Sequence, residues 1–167
     1  MENFDFTTRV SVTLPRVNLK NPKKNPREKV LEKLEKGKRE GAEALRREVE
    51  RRLERSISSS TWSWPNTTAR TNGSTVSTPR NIVDTGSLLS AQVTTLRISK
   101  NKFTIKMTNT VPYARLVHYG GVVRPYGNNN ADSVLIPARP WVMAVFEGTY
   151  GQERLDVLSF MAKYFKV

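Results

Sequence analysis

Groups able to do chemistry are sparse in this sequence, and their spacing speaks of turns and contacts more than of catalysis. His118 is the single histidine and cysteine is absent, which excludes a multi-histidine metal centre within one chain, thiolate ligands, Cys nucleophiles and a disulfide framework. Set just before Gly120-Gly121, His118 reads as a packing or capping histidine near a helix C-terminus. Asp84, in Val83-Asp84-Thr85-Gly86, is of the type that caps a helical turn or strand entrance, and no base accompanies it. There is no glycine-rich phosphate loop, no carboxylate dyad with a base, no nucleophile elbow and no carboxylate cluster for Mg²⁺. The expectation is a non-enzymatic protein without metal or cofactor.

Base is what the chain has in excess. Its 167 residues carry a formal +13, and the excess is unevenly distributed. From Lys20 to Arg55 there are 14 basic and 8 acidic residues, a net of +6 from interleaved signs. From Ser58 to Ala131 there are 8 basic residues against Asp84 alone, a net of +7 with almost no internal neutralisation. A run without compensating acid makes a positive surface, whose natural partners are a nucleic-acid backbone or an acidic protein face. Arg97, Lys100, Lys102 and Lys106 are the candidates for such contact.

The elements that must position these groups follow from hydrophobic spacing. Residues 1–18 alternate Phe4, Phe6, Val10, Val12 and Leu14 with mainly polar residues, the period-2 pattern of an extended arm with one buried face, ended by Pro15. Such an arm needs a partner. Residues 19–167 then form one α+β domain. A long helix is expected from Pro26, behind Asn25 as N-cap, to about Ile57. Its narrow stripe is Val30, Leu31, Leu34, Ala42, Leu45, Val49, Leu53 and Ile57, with Glu32/Lys36, Glu35/Arg39 and Glu43/Arg47 as i,i+4 ion pairs. Gly37 and Gly41 suggest a bend or a close approach in its middle.

The 58–80 stretch is a long polar loop carrying Trp62 and Trp64, which either bind a neighbour or cover the chain's own core. Leu96 and Ile98, then Phe103, Ile105 and Met107, alternate about a Ser-Lys-Asn-Lys turn and predict a β-hairpin whose outward face holds Arg97, Lys102 and Lys106. Val111 to Tyr119 predicts a short helix and Val134-Leu135-Ile136 a brief strand. Arg139 is held between Pro137 and Pro140, ahead of an apolar run from Trp141 to Phe146. Tyr113, Tyr119 and Trp141 read as core residues, with base stacking as the alternative. A C-terminal helix over Gln152–Phe165, with Leu155, Leu158, Met161, Ala162 and Phe165 on one face, should dock on the sheet. No apolar run reaches the roughly 18–20 residues that span a bilayer, and the acidic start lacks the base of a signal peptide. A product of the cytosol with no membrane partner is expected.

Three motifs stand in order: Val83-Asp84-Thr85-Gly86-Ser87-Leu88, Tyr113-Ala114-Arg115-Leu116-Val117-His118-Tyr119-Gly120-Gly121, and Ile136-Pro137-Ala138-Arg139-Pro140-Trp141. With a hairpin between the first two and a helix after the third, the order resembles the neck and tail-completion family of tailed bacteriophages. It is similar also to the virion-morphogenesis proteins of Mu-like phages. The likeness covers about residues 27–165; the 1–18 arm and the long 58–80 loop depart from the simplest pattern. The resemblance implies a structural virion protein that joins the head to the tail: a homo-oligomeric ring, usually a hexamer, around the DNA channel. Its partners would be the portal or adaptor and the tail proteins, with transient contact to genomic DNA. A tail-terminator ring at the same junction, or a basic nucleic-acid-binding protein, are the alternatives. Asp84 and Gly86 would then shape the turn into the sheet, Tyr113 would open the second motif, and Gly120 and Gly121 would end the short helix. Pro137 and Pro140 would hold Arg139 for pairing across a subunit interface. Phe4, Phe6, Trp62, Trp64, Arg139 and Trp141 are the assembly candidates.

Overall fold

A thin apolar stripe on a charged helix can be covered from one side only, and the architecture follows from that. The computed structural model describes residues 6–13, 24–64, 67–70, 73–124 and 133–165. Phe4 and the Phe6 side chain lie outside the described parts. The protein is α+β, as its periodicities predict; among the described residues there are one long helix, four short ones, a three-stranded antiparallel sheet and two two-stranded ones.

Helix α1 spans Lys24–Ser58, starting before the Asn25-Pro26 boundary that capping chemistry suggested. Ala42, Leu45, Val49, Leu53 and Ile57 are fully buried, whereas Leu31, from the same stripe, is exposed. Only the C-terminal half of the stripe is therefore covered by the rest of the chain. The ion pairs along α1 favour i,i+3 as much as i,i+4. Glu35 pairs with Lys38, Glu43 with Arg46, and Glu48 with both Arg51 and Arg52. The two guanidiniums beside Glu48 hold its carboxyl down at about 2. The acids of the helix thus pair along it with its own bases, with partners shifted by one residue for Glu35 and Glu43.

Against α1 lies a three-stranded sheet of order β1-β5-β4, formed by β1 (Phe6–Thr13), β4 (Gln92–Ile98) and β5 (Lys102–Asn109). The β4–β5 hairpin is the predicted one. Strand β1 runs antiparallel to β5 from Phe6↔Asn109 to Thr13↔Lys102, so the partner of this arm is the chain's own sheet. Phe103, Ile105 and Met107 supply the buried face, with Val10, Val12, Leu96 and Ile98 around them.

The described parts of the 58–80 segment fold back on themselves. Trp62 and Arg80 exchange backbone hydrogen bonds of 3.0 and 2.9 Å, and β2 (Thr68–Ala69) pairs with β3 (Thr75–Val76). Helix α2 is Ser87–Ser90 and α3 is Ala114–Tyr119; β6 (Gly121–Val123) pairs with β7 (Val134–Ile136). The apolar run after Arg139 becomes α4, Trp141–Glu147, which packs on α1.

The last helix is shorter than its pattern suggested. Helix α5 is Val157–Ala162, capped by Asp156, whose carboxylate accepts from the Leu158 and Ser159 N–H groups. It packs chiefly on α1 instead of the sheet, and Leu158, expected on the buried face, is 75 % exposed. Among the described residues no helix is long and apolar enough to cross a membrane.

Candidate functional site

Two places gather an excess of positive charge. The first is the outer face of the sheet. Because side chains alternate across a strand, Arg9 in β1, Arg97 in β4, and Lys102 and Lys106 in β5 all stand opposite the buried Phe103, Ile105 and Met107. Register sets Arg9 beside Lys106, Lys106 beside Thr95, and Arg97 beside Thr104. The remaining positions of this face are Thr7, Ser11, Thr13, Thr108 and Val93, and no acid occurs in any of the three strands. Ser11 and Thr104 hydroxyls meet at 3.1 Å across it. The face is thus a basic, hydroxyl-rich surface suited to polyanion backbone.

Three of the four lysines and arginines named from the sequence meet here. Lys100 does not. It lies in the β4–β5 turn, where its carbonyl accepts a 2.9 Å bond from the buried Lys38 ammonium. Arg9 belongs to the face and was missed, although its odd position among even-numbered apolar residues already placed it outward.

The second place is a cleft of about 110 Å³ whose walls include Arg70, Arg80, Asn81, Asp84 and Arg139. Local chemistry builds it. The Trp62–Arg80 backbone pair fixes one wall, and Thr78 accepts the Trp64 N–H at 3.1 Å through its hydroxyl. Arg70 donates to Asn81 Oδ1 at 2.6 Å and to the Asn81 carbonyl at 3.1 Å. Arg139 donates its backbone N–H to the Val117 carbonyl, and its neighbouring prolines keep it extended.

The guanidiniums of Arg139 and Arg80 lie 4.1 and 4.3 Å from the centre of the Trp64 ring. Arg139 is only 6 % exposed. Burial first, and then the positive charges of Arg80 and Arg70, lower its pKa to about 10. Its Nε and the Trp64 Nε1 are buried donors without a hydrogen-bond partner among the described residues.

Several sequence-named residues take interior roles instead of contacting neighbours. Trp62 is buried, donates from Nε1 to the Ser56 carbonyl at 2.8 Å and stacks near Tyr150; Trp64 is buried too. Trp141 is fully buried, edge-to-face with His118 at 4.7 Å. Trp62 and Trp141 therefore belong to the chain's own core, whereas Trp64 is buried against the guanidiniums of Arg80 and Arg139. His118 is the expected packing histidine, its pKa lowered by burial to about 4. Tyr113 and Tyr119, expected in the core, are 43 % and 63 % exposed.

Asp84 caps no helix. Gly86, with φ of 86°, occupies the N-cap of α2, while Asp84 stands in the cleft wall. Gly120 ends α3 at φ 72°, and a side chain there would strike the Ala138 N–H and Ile136 carbonyl. Pro140 is the N-cap of α4, and Pro137 follows β7. A polar network unsignalled in the sequence joins these parts. Buried Asn109 donates to the Leu88 carbonyl at 2.7 Å and accepts from the Val111 N–H, and Gln92 Oε1 accepts from Asn109 and Trp141.

No group of three metal-ligating side chains occurs among the described residues. Comparison with protein-family models, with curated proteins and with solved structures finds no match.

Proposed function

We propose that the protein is a structural, non-enzymatic virion component that joins a bacteriophage head to its tail, as a homo-oligomeric ring around the DNA channel. The observation that carries this reading is the acid-free sheet face bearing Arg9, Arg97, Lys102 and Lys106. The motif order from Val83 to Trp141 supports it independently. A ring threaded by DNA gains from such a face, because each phosphate neutralised releases condensed counterion, yet few contacts per subunit leave the DNA free to slide. The exposed Leu31 end of α1 and the outer edge of β1 give each subunit surface with which to meet its neighbours.

Imaging of the intact particle tests the proposal. The chain should form a closed ring at the head–tail junction, with the β1-β5-β4 face towards the lumen. Density in the capsid shell or distal baseplate, or a sheet face turned away from the channel, overturns it. A salt titration with duplex DNA separates the rival reading: the free subunit should bind weakly, whereas a dedicated nucleic-acid binder shows high affinity as a monomer and a steep log–log slope.

A further inference from the structure

We propose that the cleft between Arg70, Arg80 and Arg139 is a receptor for an acidic side chain presented by another polypeptide. It uses no residue of the sheet face and does not depend on the function proposed above. A guanidinium removed from water calls for an anion or a full set of acceptors. Arg139, buried to 6 % exposure, has neither among the described residues. It makes no ion pair, its Nε has no acceptor, and the adjacent Trp64 Nε1 has none. Its company is an indole face and two further cations. Three guanidiniums line the cleft against the one carboxylate of Asp84, which leaves it an excess of positive charge.

Size and charge select the ligand. A side-chain carboxylate on a flexible stem fits about 110 Å³ and can take a two-pronged hydrogen bond from a guanidinium. The Asp84 carboxylate in the wall also disfavours a ligand bearing more than one negative charge.

Titration followed by ¹H–¹⁵N NMR on the full chain tests this, with acetyl-Gly-Glu-Gly-amide as the probe and its Gln counterpart as control. The Glu peptide should shift the Arg139 Nε–H and Trp64 Nε1–H signals saturably, in the millimolar range, while the Gln peptide leaves them in place. Arg70→Gln and Arg80→Gln should each weaken the effect about tenfold, as loss of a charge-assisted hydrogen bond does. Equal responses to the two peptides, or none to either, overturn the proposal without any need for a folded variant. A stronger response of the same two signals to inorganic phosphate or a short DNA duplex than to the Glu peptide also overturns it, assigning the cleft to phosphate. Arg9→Glu/Lys106→Glu should leave the titration unchanged, which separates this result from the fate of the channel reading.

Discussion

Arg139 holds its guanidinium 4.1 Å over the indole of Trp64, in a site where the other nearby side-chain charges are mostly of the same sign. Stacking on an indole contributes about 2 kcal/mol when desolvated, less than the cost of burying a charge that lacks an ion partner. The residue is therefore placed against the interest of stability. Arg139→Met, which keeps the stem and removes the charge, should leave the urea midpoint unchanged or raise the unfolding free energy by about 1–2 kcal/mol. A loss above about 2 kcal/mol would assign the guanidinium a purely structural role.

Asn109 makes the opposite prediction, because it is fully buried and its side chain is hydrogen-bonded within the fold. Asn109→Ala strands the Leu88 carbonyl and the Val111 N–H, each worth about 1–3 kcal/mol when left unpaired. Equilibrium unfolding in urea should show a loss of about 2–4 kcal/mol. A loss under about 1 kcal/mol means that the freed groups find other partners.

Much of this was legible in advance, and the failures have identifiable causes. Period-2 alternation located β4 and β5 and separated Arg97, Lys102 and Lys106 from the core, since sheet faces obey a strict alternation. The buried part of the α1 stripe, Ala42 to Ile57, was legible from its three- and four-residue spacing. The cleft was not, because Arg70, Arg80 and Arg139 are brought together by a backbone exchange between Trp62 and Arg80 that leaves no periodic trace. Leu158 misled because helical spacing shows that a face is apolar, not that anything covers it. Tyr113 and Tyr119 misled similarly: an apolar neighbourhood in sequence says little about the direction of a side chain at a helix end.

Charge reversal on the sheet tests the electrostatics of the proposed channel. Arg9 and Lys106 face each other across β1 and β5, so Arg9→Glu/Lys106→Glu replaces one positive pair by a negative one. Association of the proposed ring with duplex DNA should fall, and the log–log salt slope should shrink by about 0.9 for each phosphate that the variant no longer neutralises. Stability should change little, because both positions are on the solvent face. An unchanged slope would remove this face from the DNA interface.

Gly37 offers a prediction whose sign is diagnostic. In an exposed helix, Gly→Ala stabilises by about 1 kcal/mol. Here the added methyl would collide with the Tyr164 carbonyl, and one at Gly41 would meet the Met161 methyl. The glycines are therefore the floor on which the C-terminal segment lies. Gly37→Ala should lower stability by about 1–3 kcal/mol, because a backbone carbonyl cannot swing aside as a side chain can. A raised thermal midpoint would show that the C-terminal segment does not rest there.

Burial of His118 should make stability pH-dependent in a window below neutrality. Its pKa falls from 6.5 to about 4 because the imidazole is enclosed against Trp141. Between those values the unfolded chain binds a proton that the folded chain refuses, so stability rises with pH and is lost progressively as pH falls from about 6.5 towards 4. The expected difference between pH 7 and pH 5 is about 2 kcal/mol. Glu48 adds a loss of the same direction at lower pH, as its carboxylate is protonated between its ordinary 4.5 and about 2. The two are separable: His118→Phe, which keeps an aromatic edge against Trp141, should abolish the change between pH 7 and pH 5 and leave the later acid loss intact. Urea unfolding of both proteins at pH 7, 5 and 3 provides the measurement. An equal pH 7 to pH 5 loss in the variant would assign that step to a group other than His118.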